Sequence, residues 1–192
     1  MQELKERIVK EGKVLPGNII KVDGFLNHRI DTGLLTRIAE EFGKYFNMDE
    51  VTMVLTAEAS GIALATAVAT YFHKPMIFAK KAKSDNIEGG LYQSDIYSYT
   101  YKKKVTLLVS KEWLSSDDKV LIIDDFMANG EAMRGLCDIV TAAGATLMGI
   151  GSAVEKGFQG GGDRLRAAGV NLKSLAIIES AEPGNIVFRD DD

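Results

Sequence analysis

Short apolar runs alternate with longer amphipathic segments along most of the chain. Runs such as 51–56 and 120–123 are typical of strands buried on both faces of a sheet, whereas 61–71 and 130–143 indicate helices. The same pattern predicts strands at 19–22, 75–79 and 147–154 and helices at 3–11, 31–46 and 163–168. Because strands that alternate with helices form βαβ units, we predict one α/β domain over residues 1–192 with a mainly parallel sheet.

One segment interrupts this alternation. Residues 80–94 lack periodicity and are rich in Lys, Ser, Asn and Gly, and two short strand patterns at 96–101 and 105–109 then flank three consecutive lysines. This predicts a long loop followed by a hairpin with a basic turn. Such long loops are uncommon inside a domain and often form lids over active sites, although a plain surface loop is the alternative.

Composition and charge narrow the classes of function. The 192 residues include 23 Lys and Arg against 27 Asp and Glu, a net charge of −4, which argues against nucleic acid or an anionic membrane as the main partner. Cys137 is the only cysteine, and His28 and His73 are the only histidines, so neither a disulfide nor a zinc site is expected. The charged N-terminus has no apolar signal core, so we expect a cytoplasmic protein.

Two adjacent acids, Asp124 and Asp125, follow the clearest predicted strand and precede a small-residue loop that leads into a helix. Ligands of open α/β sheets bind beyond the carboxyl ends of strands, and a helix N-terminus offers N–H groups to an anion. The pattern therefore favours a sugar phosphate, with the acids on a vicinal diol and the loop on the phosphate. The acids alone would also suit a metal-binding receiver domain or a strand cap. The loop residues are Ala128, Asn129, Gly130, Glu131 and Ala132.

The whole stretch VLIIDDFMANGEAM resembles the phosphoribosyl-pyrophosphate (PRPP) signature of the type I phosphoribosyltransferases. It differs at Asn129, where many members have Thr, although Asn also offers a side-chain donor. The resemblance implies the family's fold, with a small hood from about 1–30 and 155–192 above the sheet. It also implies a mobile loop at about 82–101, Asp124 and Asp125 as the catalytic pair, and a homodimer.

The resemblance also implies a second anion-binding turn after the strand at 51–56, where Ser60 and Gly61 would hold the pyrophosphate. Some relatives have a basic residue near this turn, which this chain lacks. The negative charge would then be balanced by backbone dipoles, by Lys80 and Lys81, and by Mg²⁺. The Mg²⁺ is expected to arrive with PRPP, without a dedicated protein site.

Three stretches, KVDGFLNHRID, LIIDDFMANG and VEKGFQ, are similar to family members that use xanthine. The similarity implies that Ile20, Asn27 and Lys156 contact the base. A lysine ammonium only donates hydrogen bonds, so it favours a 6-oxopurine over adenine, and the Asn27 amide can donate to the 2-oxo group of xanthine. The implied reaction is purine salvage, in which PRPP and xanthine give xanthosine 5′-monophosphate and pyrophosphate.

The sequence leaves two alternative functions open. The first is the same reaction with hypoxanthine or guanine as the base. The second is a PRPP-sensing transcription regulator without catalysis, which we disfavour because the chain is acidic and offers no separate segment for a DNA-binding domain.

Overall fold

The structure, a computed structural model, describes residues 1–81, 90–98 and 103–190. Its helices are α1 (Gln2–Glu11), α2 (Thr32–Phe42), α3 (Gly61–Tyr71), α4 (Glu131–Ala142) and α5 (Gly161–Ala167). Its strands are β1 (Lys13–Leu15), β2 (Ile19–Lys21), β3 (Met53–Ala57), β4 (Met76–Ala79), β5 (Leu91–Ser98), β6 (Lys103–Ser110), β7 (Lys119–Met127), β8 (Thr146–Lys156), β9 (Leu172–Glu182) and β10 (Asn185–Phe188). A π-helical turn covers Asp23–Asn27, and a 3-10 turn covers Gly157–Gln159.

A six-stranded sheet in the order β10-β9-β8-β7-β3-β4 forms the centre of the molecule. Five strands run parallel, and β10 alone is antiparallel to its neighbour β9 within this sheet. The predicted α/β fold with a mainly parallel sheet is therefore confirmed. The sequence analysis did not predict β9 or β10, which extend the sheet on the side of β8.

The apolar run of β7 is explained by burial on both faces of the sheet. Leu121 and Ile123 pack into the core that α1, α2 and α3 share, whereas Val120 and Ile122 pack into the core beneath α4. Alternate side chains of a strand point to opposite faces, so a strand covered on both sides needs apolar residues at successive positions.

Helix α2 begins where the sequence predicts and ends earlier. The Asp31 carboxylate accepts the Leu34 N–H at 3.0 Å, which caps the helix. The helix ends at Phe42 rather than at Phe46, because the chain tightens at Gly43, whose N–H bonds the carbonyls of Ala39 and Glu40. Phe46 is still buried beyond this turn, which is why the apolar pattern continues past the helix end.

The segment expected to be a mobile loop at about 82–101 is partly a strand. Residues 91–98 pair along their length with β6, from Leu91 opposite Ser110 to Ser98 opposite Lys103. The hairpin packs on α4, where Gly135 allows the close approach of Ile96. Residues 91–98 are therefore a strand of a hairpin and not irregular loop, and 82–89 and 99–102 lie outside the described residues. Lys103 and Lys104 belong to β6 and not to the predicted turn.

Both ends of the chain meet at the same side of the sheet. The Met1 amino group donates to the Leu175 carbonyl at 2.5 Å, and α1 buries Leu4 and Ile8 in the core. The β1–β2 hairpin follows, with Ile20 buried opposite Val14. In the described ranges, none of the helices is long and apolar enough to cross a membrane.

Candidate functional site

The sequence analysis expected the two adjacent acids to follow strand β7. In the structure they lie inside this strand. Strand pairing continues past them, with Asp124 opposite Ser152 and Phe126 opposite Val154. The apolar residues that follow the acids explain this continuation. The exposed fraction is 7% for Asp124 and 1% for Asp125, so two carboxyl groups are buried next to each other.

The carboxyl group of Asp124 lies against the start of α3. A Cβ atom at Gly61 would stand under 3.0 Å from both Oδ1 of Asp124 and Oγ1 of Thr56, so only glycine fits there. Burial and the neighbouring Asp125 raise the pKa of Asp124 well above its ordinary value of 3.8, and Lys81 opposes this shift. The Thr56 hydroxyl is buried and has no hydrogen-bond partner within the described residues.

The carboxyl group of Asp125 is held by the π-helical turn at Asp23–Asn27. The Asn27 Nδ2 atom donates to Oδ2 of Asp125 at 2.7 Å, and the same turn buries Phe25 and Leu26 in the core. Because a carboxylate only accepts hydrogen bonds, this contact orients the Asn27 amide with its nitrogen toward the acid. One amide hydrogen is thereby engaged, and within the part of the chain that the structure describes the second has no acceptor, so it can donate to a ligand.

A cavity of about 200 Å³ opens where β7 leads into α4. Gly130 takes a left-handed conformation with φ of 82°, and α4 begins at the next residue. The first N–H groups of a helix lack partners within the helix, so this end of α4 can bind an anion. The cavity is lined by eight of the predicted site residues: Ser60, Lys81, Asp124, Ala128, Asn129, Gly130, Glu131 and Ala132. Its other lining residues are Ile96, Tyr97, Phe126, Met127 and Met133.

The structure does not bring Lys80 to this cavity. Lys80 exchanges two backbone hydrogen bonds with Leu108, and its side chain lines a separate cavity of about 490 Å³ beside the exposed Trp113. Lys81 faces the first cavity, and its backbone N–H donates to Oε1 of Glu58 at 2.6 Å. Successive residues of an extended chain point to opposite sides, which separates the two lysines.

Lys156 ends β8 and lies close to the β1–β2 turn. Its Nζ donates to the Asn18 carbonyl at 2.9 Å and stands 5.4 Å from the centroid of the Phe126 ring. Burial lowers the pKa of Lys156, since a half-buried ammonium loses part of its hydration. The ammonium group therefore sits on the aromatic residue that directly follows the acidic pair.

Glu155, which precedes Lys156, is fully buried and pairs with a residue of α5. Both terminal nitrogens of Arg166 donate to its carboxylate, at 3.1 and 2.5 Å, and the Ser174 hydroxyl also donates to it. A second arginine of α5, Arg164, donates from Nη2 to the Asn129 carbonyl at 2.9 Å. The sequence analysis missed both arginines, and the run of three glycines at 160–162 is the signal of a close contact there.

No three His, Cys, Asp or Glu side chains come together as a metal cage in the part of the chain that the structure describes. The acidic pair, Asp124 and Asp125, can offer a metal ion two carboxylates. Magnesium in proteins commonly uses one or two carboxylates together with substrate phosphates and water, so this donor set fits a Mg²⁺ that arrives on a phosphate ligand.

Known proteins are similar to this chain in sequence and in fold. The family model of the phosphoribosyl transferase domain matches residues 28–167. A xanthine phosphoribosyltransferase of Lachnoclostridium phytofermentans is 52% identical over 193 aligned residues, which span all of both chains. One of Bifidobacterium longum is 52% identical over 192 residues, 98% of this chain and 100% of that chain. The structure of APRTase from Giardia lamblia, complexed with 9-deazaadenine, covers 93% of this chain and 98% of its own with a TM-score of 0.77 at 20% identity.

The last comparison shows the fold, and the first three show the family. The matched domain covers most of the described chain, including the acidic pair of β7 and the loop that leads into α4. The chain thus belongs to the phosphoribosyltransferase family and has its type I fold.

Proposed function

We propose that the chain acts in purine salvage and transfers the 5-phosphoribosyl group of PRPP to xanthine, giving xanthosine 5′-monophosphate and pyrophosphate. The hydrogen bond of 2.7 Å from Asn27 to Asp125 carries this proposal, because it joins the residue expected to read the base to the acid expected to bind the ribose. The end-to-end identity of 52% to a protein named xanthine phosphoribosyltransferase supports the choice of base.

In this proposal the ribose, the 5′-phosphate and the pyrophosphate of PRPP each have their own set of residues. Asp124 and Asp125 accept hydrogen bonds from the ribose hydroxyls, and the loop from Ala128 to Ala132 binds the 5′-phosphate. Ser60, Gly61 and Lys81 face the pyrophosphate. Mg²⁺ bound with PRPP would supply further positive charge to the leaving group. The protein contributes chiefly by positioning the reactants and stabilising the leaving pyrophosphate.

Lys156 and Asn27 would recognise the two oxo groups of xanthine. The Lys156 ammonium donates to the 6-oxo group, which adenine lacks. The second amide hydrogen of Asn27 donates to the 2-oxo group, since the first is engaged by Asp125. Ile20, buried in the β1–β2 hairpin, would close the edge of the base.

The proposal has further parts, of which the homodimer and the hood rest on the family resemblance and the cytoplasmic location on the charged N-terminus. The protein is a cytoplasmic homodimer, and it forms one domain over residues 1–192. Its hood comes from about 1–30 and 155–192, and the contact of Met1 with Leu175 brings these two segments together.

A pyrophosphate-release assay tests the function directly. The protein is incubated with PRPP and Mg²⁺ and, separately, with xanthine, hypoxanthine, guanine or adenine. We expect release with xanthine well above the other bases. Comparable release with guanine or hypoxanthine would keep the reaction and refute the narrow specificity. No release with any base would refute the proposed function and favour a PRPP-binding regulator.

Asn27→Ala tests the reading of the 2-oxo group. We expect kcat/KM to fall about 100-fold for xanthine and about tenfold for hypoxanthine, because hypoxanthine has no 2-oxo group and loses only the support that Asn27 gives Asp125. Asn47→Ala is the matched control, since Asn47 also donates to a carboxylate, Glu50, at 2.8 Å on the exposed surface. Equal losses for the two bases would refute the assigned role of Asn27.

A further inference from the structure

The loop that precedes α4 is covered from outside by the first turn of α5. A Cβ atom at Gly161 would stand 2.5 Å from the carbonyl carbon of Asn129 and 2.7 Å from the nitrogen of Gly130. The backbone of α5 thus lies directly against the peptide group that joins these two residues. This face of the peptide is closed, so any ligand must approach the loop from the cavity.

Helix α5 has seven residues, too few to be stable by itself. Its position is fixed by the two hydrogen bonds from Arg166 to the buried carboxylate of Glu155. Gly162 permits this approach, because a Cβ atom there would overlap the same carboxylate. The helix is therefore a rigid support anchored to the end of β8.

From this support Arg164 reaches the loop. Its Nη2 donates to the Asn129 carbonyl at 2.9 Å, and its Nη1 donates to the Gln159 carbonyl at 3.4 Å. In a trans peptide the carbonyl and the following N–H point in opposite directions. By holding the carbonyl of Asn129 outward, Arg164 turns the N–H of Gly130 the other way. Within the described residues this N–H has no hydrogen-bond acceptor.

We propose that Arg164 is a positioning residue that fixes the Asn129–Gly130 peptide with its N–H directed at the 5′-phosphate. This inference deepens the proposed function and rests on it for the identity of the phosphate. Without Arg164 the Asn129 carbonyl loses the charged donor that holds it outward, and a peptide turned the other way would direct this oxygen at the phosphate, which would repel it. Arg164 acts through the loop and does not touch the reacting atoms.

The inference distinguishes two anions that bind the same enzyme. Ribose 5-phosphate carries the phosphate that the loop from Ala128 to Ala132 would bind, whereas pyrophosphate would bind at Ser60 and Gly61. A general loss of structure would weaken both, but a misoriented Gly130 N–H weakens only the first. Calorimetric titration of each anion into the full-length protein, in the presence of Mg²⁺, measures both affinities without any base.

For Arg164→Gln we expect the dissociation constant of ribose 5-phosphate and the KM for PRPP to rise about tenfold, the effect of losing a hydrogen bond from a charged group. The dissociation constant of pyrophosphate, the KM for xanthine and the melting temperature should stay unchanged. Arg164→Lys should restore part of the affinity, because lysine keeps a charged donor. Arg37→Gln is the control, since Arg37 pairs with Glu3 on the exposed surface.

Unchanged affinity for ribose 5-phosphate in Arg164→Gln, or an equal loss for both anions, would overturn the inference. Failure of the proposed function gives a different result, since the wild-type protein would then release no pyrophosphate with any of the four bases. The two failures are therefore distinguishable.

Discussion

Asp124→Asn should give a protein that is more stable than the wild type and almost inactive. The Asp124 carboxylate is buried beside Asp125, and both burial and this neighbour disfavour its charged form. The Asn side chain has the same shape and can still accept the Asp125 N–H that Oδ1 accepts at 3.1 Å. Removing the buried charge should stabilise the fold by about 1 kcal/mol, which raises the melting temperature by about 2–4 °C.

The activity should fall because the proposed contact with the ribose hydroxyls needs an ionised acceptor. Loss of a charge-assisted hydrogen bond predicts a decrease of about 100-fold in kcat/KM. Steady-state assays with PRPP and xanthine measure this decrease. Wild-type activity in Asp124→Asn would refute the catalytic role of Asp124.

The gain in stability should depend on pH in a defined direction. The raised pKa means that folded protein binds the Asp124 proton more tightly than unfolded protein does. The wild type therefore loses stability as the pH rises above about 4, where Asp124 ionises in the unfolded chain, until the pH has passed the raised pKa of Asp124 in the folded protein, whereas the variant shows no such loss. Thermal unfolding between pH 4 and pH 8 should show a difference that widens with pH.

Asp31→Asn is the control of opposite sign. The Leu34 N–H and Arg7 hold the pKa of Asp31 below its usual range, so its ionised form stabilises the fold. This contribution is present at neutral pH and is lost as the pH falls through the pKa of Asp31 in the folded protein. Asp31→Asn should therefore lower stability at neutral pH, with a difference that disappears in acid.

For the first variant, Asp124→Asn, a loss of stability would contradict the prediction and would mean that favourable contacts of the carboxylate outweigh the cost of its burial.

Gly61→Ala should damage both stability and activity. The new methyl group would overlap Oδ1 of Asp124 and Oγ1 of Thr56, so one or both side chains must move. Such overpacking costs about 1–3 kcal/mol, and a displaced catalytic group can lower the rate about 100-fold. Thermal unfolding measures the first effect, and kcat/KM for xanthine measures the second.

Gly33→Ala is a matched control, because Gly33 also lies in the first turn of a helix. A Cβ atom there meets only the flexible end of Arg37, at 3.3 Å, and the Asp31 carboxylate, at 3.5 Å. Alanine has a higher helix propensity than glycine, so this variant should be as stable as the wild type or more stable, and fully active.

The double variant Thr56→Ala, Gly61→Ala should recover stability but not activity, because the overlap with Asp124 remains. Recovery of activity would show that Thr56 alone caused the defect.

The sequence predicted those parts of the site that are local along the chain. The apolar run of β7, its two acids and the loop into α4 are consecutive, and each has its own pattern. Long-range contacts left no comparable pattern: 98 positions separate Asn27 from Asp125, and 35 separate Arg164 from Asn129. Both become evident only when the fold brings the partners together.

Two errors in the secondary structure have one physical cause. The acids were placed after β7 because polar residues usually end a buried strand, although pairing with β8 continues to Met127. The first half of strand β5, residues 91–94, was assigned to the loop at 80–94 because that segment lacks periodicity and is mostly polar, whereas a strand was predicted from 96 onward. Its pairing with β6 and its contact with α4 at Gly135 are tertiary interactions, and these override the local pattern.

The β5–β6 hairpin joins the large sheet through the backbone bridge between Lys80 and Leu108. Strand β7, in contrast, is paired on both edges and buried on both faces. The two regions should therefore open with different free energies, and their amide hydrogens should exchange with solvent at different rates. The amides of β7 should exchange only when the whole domain unfolds, whereas we expect the hairpin to detach while the acidic pair stays in place. We therefore expect the wall of the cavity formed by Ile96 and Tyr97 to open without displacing the acidic pair.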